Sequence, residues 1–143
     1  MSVARSRADG RMQGRALLAV AAGGALGAMA RYAIDLMADR QGVALPWATL
    51  TINLVGSLLM GLLVSYVLTH PARHLLWRPF LGAGVLGGFT TFSAFAGDAV
   101  LLADEGAWAA SAAYIAATLA GGLLALWAGY EMGHALRRRR PVP

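Results

Sequence analysis

The 143-residue sequence contains no cysteine and no lysine. Without cysteine there is no disulfide framework and no thiolate metal site. Without lysine, the formal net charge of +5 rests on arginine alone. Charged residues make up only 13% of the chain, and no Asp, Glu, Lys or His lies near the middle of its long apolar stretches. A proton-coupled transporter normally needs a titratable group inside the membrane, so that class is disfavoured. The three histidines, His70, His74 and His134, fall at the ends of apolar stretches. No nucleophile, base and orienting group are gathered, which argues against hydrolytic or metal catalysis and for a chain that is not an enzyme. Tandem repeats and low-complexity segments are missing as well.

What the sequence has is apolar length. Hydrophobic residues make up 58% of the chain and gather in long blocks rather than in amphipathic stripes. A bilayer core of roughly 30 Å needs about 20 apolar residues of helix. Four stretches qualify: Ala16–Met37, Trp47–Thr69, Pro79–Ala103 and Ala107–Tyr130. They predict an all-α membrane protein, one transmembrane domain over residues 1–143 with short basic tails at both ends. A secretory signal is the rival reading of the first stretch. Its length, and Arg31 and Asp35 at its far end, are unlike a cleavage region.

With four crossings, both termini and the second-to-third connection share one side of the membrane. That side holds Arg5, Arg7, Arg11, Arg15, Arg73, Arg78 and Arg137–Arg140, against Arg31 and Arg40 opposite. The positive-inside rule places it in the cytoplasm of a multi-pass protein of a prokaryotic plasma or inner membrane. Arginines that flank apolar blocks make anionic lipid the expected partner and exclude nucleic acid. Trp47, Trp77, Trp108 and Tyr130 mark block ends as interfacial anchors. The connections are short, so successive helices are expected to be antiparallel neighbours.

Small residues recur at close-packing spacing in Gly23-x-x-x-Gly27, Gly84-x-x-x-Gly88 and Gly129-x-x-x-Gly133. For any one of these motifs, tight packing is the default explanation. The least membrane-like segment is Gly87-Gly88-Phe89-Thr90-Thr91-Phe92-Ser93-Ala94-Phe95, near the middle of the third stretch. Adjacent glycines followed by two β-branched residues make a poor continuous helix. A break at membrane depth frees carbonyls for a cation and amides for an anion; the alternative is a kink whose hydroxyls bond back to the preceding turn. Two polar tracks accompany it. Thr49, Asn53 and Ser57 share one face of the second stretch, and Ser111, Tyr114, Thr118 and Gly122 follow helical spacing on the fourth. Neutral amides, hydroxyls and ring edges are what an anion path would use.

These residues resemble the fluoride channels of the Fluc or CrcB family. The likeness is carried by Gly23-Gly24-Ala25-Leu26-Gly27-Ala28-Met29-Ala30-Arg31-Tyr32, by Thr49-Leu50-Thr51-Ile52-Asn53-Leu54-Val55-Gly56, and by the segment from Gly87 to Phe95. It runs from about Gly23 to about Gly122, and the last motif is the most specific. It implies a fluoride-selective channel that lets cytoplasmic fluoride leave passively, built by two subunits in antiparallel orientation around a structural sodium ion. By position it makes Phe92 and Phe95 the pore phenylalanines and Asn53 the pore amide donor. It places Tyr114 and Thr118 on the polar track and Arg31 near an aqueous vestibule. Backbone carbonyls of Gly87 and Thr90 would bind the sodium. Two positions depart from the family pattern: Ala94 stands where a Thr is usual, and Gly122 where a hydroxyl is expected.

Fluoride holds its water strongly, so a pore must replace that shell with donors in a narrow passage. On this reading Phe92→Ile or Asn53→Ala lowers fluoride flux while the fold survives. The antiparallel pair conflicts with the arginine bias, because identical chains inserting both ways should show little of it. Either the bias is overridden in a homodimer, the preferred reading, or the partner is a related chain of opposite orientation. A small multidrug-type exporter is the main alternative, and it would want a carboxylate near the middle of its first helix, where this chain has only Asp35 near the end. A structural subunit of a larger membrane complex is the other, and it would not need Asn53, Phe92 and Phe95.

Overall fold

The computed structural model describes residues 2–37, 45–69 and 76–138. Arg40, His70, Arg73, His74, Arg139 and Arg140 lie outside the described residues. Helix α1 spans Ser2–Met37 and α2 spans Trp47–Thr69. The third crossing is built in pieces: a π-helical segment Pro79–Leu86, a short turn α3 (Gly87–Phe89), and, after a break, α4 (Phe92–Asp104). A turn closed by Gly106 at φ 79 leads into α5, Trp108–Arg138. Four helical spans, Met12–Met37, Trp47–Leu68, Pro79–Asp104 and Trp108–Arg138, are long and apolar enough to cross a membrane.

The all-α architecture and the broken third crossing agree with the sequence, and the ends of two helices do not. Helix α1 begins at Ser2 rather than near Ala16, and α5 continues past Tyr130 to Arg138. The reason is that apolar length marks where a helix meets lipid, whereas Arg, Ala, Leu and Met sustain a helix beyond that boundary. What were expected to be basic tails are, over the described residues, continuations of the first and last crossings.

The packing of the crossings also differs from the expected succession of antiparallel neighbours. Helices α1 and α2 barely touch; α1 packs chiefly on the first half of the third crossing, and α2 on α5. Both pairings run parallel. A Cβ on Gly23 would meet Phe80 O and Gly84 Cα, one on Gly27 would meet Val85 O and Phe89 N, and one on Gly88 would meet Gly24 O. Contacts therefore advance in the same direction along both helices, and the first two glycine motifs interlock with each other. On the other side, Gly61 of α2 lies against the backbone of Leu126 and Tyr130, while Gly129 lies against Leu58 and Leu62. Gly133 faces Ser65, whose backbone carbonyl and hydroxyl both accept from Arg137. Short connections limit only which chain ends are close, and backbone approach through glycine then chooses the partners.

The π-helical stretch was not anticipated. Its i→i+5 turn brings residues five apart onto one face. Phe80 and Val85, which together with Gly84 meet Gly23, have that spacing. Among the described residues, α4 and α5 are a consecutive pair that does pack, around the buried Phe95, Ala99, Leu102 and Tyr114. Asn53 and Thr91 supply the polar link between α2 and the third crossing.

Candidate functional site

The break is two residues long. Thr90 (φ −74, ψ 154) and Thr91 (φ −144, ψ 119) are extended, and α4 starts again at Phe92. Behind the break, both the backbone N–H and the hydroxyl of Thr90 donate to Leu86 O, at 3.0 and 2.9 Å, closing the first half-helix. Ahead of it, Thr91 caps α4: its Oγ1 accepts from the Ala94 N–H at 3.1 Å and lies 3.3 Å from Ser93 Oγ. β-Branched residues favour the extended conformation, and a Thr hydroxyl is a good N-cap. The Thr90-Thr91 pair therefore ends one helix and starts the next.

Asn53 braces this break from α2. Its Oδ1 accepts from the Thr91 N–H at 2.9 Å, and its Nδ2 donates to Thr91 O at 3.1 Å. Because Thr91 presents one donor and one acceptor, the orientation of the amide is fixed without ambiguity. The sequence placed Asn53 on a polar face with Thr49 and Ser57, and in the structure Asn53 meets the broken segment. Its role as a brace was not visible in the sequence, because the backbone groups it satisfies become free only when the helix breaks.

Beyond the break the aromatic groups form a line. Phe92 is 78% exposed on the single chain, whereas Phe95 is only 8% exposed. Their ring centroids are 5.7 Å apart, and Phe95 lies 5.6 Å from Tyr114. Tyr114 is buried, and its hydroxyl donates to Asp98 Oδ2 at 3.5 Å, with the side chains of Thr49 and Thr118 alongside. Thr118 Oγ1 donates to Tyr114 O at 2.8 Å and Ser111 Oγ to Ala99 O at 2.7 Å. These two hydroxyls thus tie down backbone carbonyls and keep their lone pairs for a donor.

Asp98, which the sequence did not single out, also belongs to the site. The signal that could have found it is spacing: Asp98 lies one helical turn after Phe95 on α4, on the face that meets Tyr114. Arg31 is the other surprise. Its Nε donates to Gly88 O at 3.4 Å, so it lies against the break itself. The two departures are also readable. Ala94 supplies the N–H that Thr91 caps, and a Cβ at Gly122 would sit 3.5 Å from Ser57 Oγ, in ordinary contact.

The carbonyls of Gly87 and Thr90 can be tested as cation ligands from the same geometry. In an unbroken helix Gly87 O would accept from the Thr91 N–H, and Thr90 O from the Ala94 N–H. Those donors go instead to Asn53 Oδ1 and Thr91 Oγ1. Both carbonyls thereby lose their helical partners, at the negative end of a half-helix, which is where a hard monovalent cation is favoured. The residues present fit the ion. Among the described residues no cluster of His, Cys, Asp or Glu is placed to hold a metal.

A model of the family described as CrcB-like protein, Camphor Resistance (CrcB), matches residues 18–130. The chain belongs to the CrcB family. It is 43% identical over 121 residues to a fluoride-specific ion channel FluC of Rhizobium meliloti, covering 84% of this chain and 97% of that protein. A FluC of Agrobacterium fabrum is 47% identical over 118 residues, 82% of this chain and 94% of the relative. FluC 1 of Streptomyces coelicolor is 40% identical over 126 residues, 88% and 82% of the two chains. The four crossings and these bacterial CrcB relatives make the chain a multi-pass bacterial membrane protein.

Proposed function

We propose that this CrcB protein is a fluoride-selective channel, which lets the anion leave the cell down its electrochemical gradient without catalysing a reaction. The observation that supports this most directly is the start of α4 at membrane depth, with Phe92 exposed beside it. The first amides of a helix carry partial positive charge, and the edges of Phe rings add weak attraction that does not titrate. Asn53 commits its oxygen and one N–H to Thr91 and keeps a second N–H for the anion. Fluoride would pass from the Asn53 and Phe92 end along Phe95 toward Tyr114 and Thr118, whose hydroxyls would have to turn from Asp98 Oδ2 and Tyr114 O to donate to it. All donors on this route except the Arg31 guanidinium are neutral, so the ion can be bound strongly enough to shed water and still released.

A second subunit completes the pathway in this reading. Phe92 faces outward on the single chain, and a polar route open to hydrocarbon would be costly. The partner we favour is an identical chain inserted in the opposite orientation. Gly87 and Thr90 carbonyls from both copies would hold the sodium ion, which supplies fixed positive charge where the two breaks meet. The purified chain is then expected to retain sodium that only slow exchange removes. Replacing sodium by N-methylglucamine should lower both thermal stability and fluoride efflux, and full activity in exhaustively sodium-depleted protein would discard the site.

Efflux from proteoliposomes containing this chain alone tests the main reading, with a fluoride electrode and chloride as control. Rapid fluoride release with little chloride release is expected; silence from folded protein, unrelieved by an oppositely oriented partner, would refute it. Phe92→Ile should reduce the flux with the fold retained, because an exposed ring leaves no cavity when it is trimmed.

A further inference from the structure

Two apolar clefts flank Trp77 at the end of the bundle where the third crossing begins. One, of about 220 Å³, is lined by Leu63, Tyr66, Val67, Trp77, Arg78 and Leu81. The other, also about 220 Å³, is lined by Ala19, Leu76, Trp77 and Phe80. The indole is thus a wall shared by both, held edge-on against Phe80 with centroids 5.8 Å apart at 89°. Among the described residues, no Asp or Glu lines either cleft. The clefts lie at the start of the third crossing, a full half-helix away from the break, and the fluoride pathway makes no use of them.

Cations stand at both rims. Arg78 lines the first cleft and is exposed. Arg15 is exposed on α1 one turn before Ala19, on the same helical face and toward the membrane surface from the second cleft. We propose that the paired clefts around Trp77 bind one anionic two-chain phospholipid, with an acyl chain on each side of the indole and the phosphate held by Arg78 and Arg15. The shape suits a forked amphiphile. A helix of another protein would need a continuous groove, whereas here a ring divides the space in two. The depth also suits lipid, since Trp at the end of a crossing sits at headgroup level and a basic rim there favours anionic headgroups. Free phosphate would have no use for the apolar walls.

The test uses Trp77 as its own reporter. The chain has four tryptophans, so a parent carrying Trp47→Phe, Trp108→Phe and Trp127→Phe leaves Trp77 alone. Fluorescence is measured in mixed micelles with phosphatidylglycerol or phosphatidylcholine bearing the same brominated chains. Phosphatidylglycerol should quench at much lower mole fraction, and Arg78→Gln or Arg15→Gln should each weaken that preference about fivefold. Excess inorganic phosphate should leave it in place, and fluoride efflux from each variant should be unchanged, verifying the fold. Equal quenching by the two headgroups would reduce the site to ordinary boundary lipid and overturn the proposal. So would loss of the preference to inorganic phosphate, or no quenching by either lipid, which would mean that protein covers Trp77.

Discussion

Asn53→Ala is expected to abolish fluoride efflux and to lower the thermal stability of the purified protein at the same time. The sequence alone led to a milder expectation, loss of flux with the fold intact. The difference comes from what the amide holds. Its oxygen and one N–H satisfy both backbone groups of Thr91, a residue only 9% exposed. Alanine leaves a donor and an acceptor unpaired where little water can reach them, at roughly 1–3 kcal/mol for each group. The link between α2 and the third crossing weakens with it, so the first turn of α4 loses its fixed position. Asn53→Asp separates bracing from conduction. A carboxylate can still accept from the Thr91 N–H, but it sets a negative charge against Thr91 O and against the passing anion. Efflux should therefore fall at least as far as in the alanine variant, while stability recovers only in part at low pH as the carboxyl regains a proton. Wild-type flux in folded Asn53→Ala protein, measured by fluoride electrode, would remove Asn53 from both roles.

The four crossings are legible in the sequence because bilayer thickness is a demand on length and polarity alone, and blocks such as Trp47–Thr69 answer it without reference to any neighbour. The break is legible for a related reason. Gly87-Gly88 followed by Thr90-Thr91 is weak as a helix in any surroundings, and the structure turns extended at those two threonines. Pairing of crossings is a different kind of property. It depends on which glycines face one another, and Gly23 and Gly84 are 61 positions apart in the chain, so spacing within one helix shows that something packs there but not what. Asp98 was hidden in the same way. On the chain it belongs with Asp104 and Glu105 near a connection, and only the packing of α4 on α5 turns it toward the Tyr114 hydroxyl. Arg31 gave up its partner only once the break had exposed Gly88 O.

The glycine interlock should be the least forgiving part of the molecule. A Cβ on Gly27 would stand 2.1 Å from Val85 O and 2.8 Å from Phe89 N, and one on Gly61 would stand 2.0 Å from Leu126 O. The obstructing atoms are backbone, so no side chain can rotate out of the way, and the two helices themselves must separate. Overpacking of well-packed interiors costs typically about 1–3 kcal/mol, and backbone-to-backbone clashes belong at the upper end or beyond. In a membrane no hydrophobic force restores the contact once the helices are apart, because lipid tails are as apolar as the surfaces released. Gly27→Ala also moves Phe89, adjacent to the Thr90-Thr91 break, so a small residue on α1 controls the geometry of the site at a distance. Gly24, only three positions away, supplies the control: a Cβ there meets nothing within 4 Å. Gly24→Ala should yield monodisperse protein with normal fluoride efflux, while Gly27→Ala and Gly61→Ala should give aggregated or heat-labile protein in size-exclusion and thermal-shift measurements. Equal behaviour of all three would mean that the parallel pairings α1 with the third crossing and α2 with α5 do not rest on backbone approach.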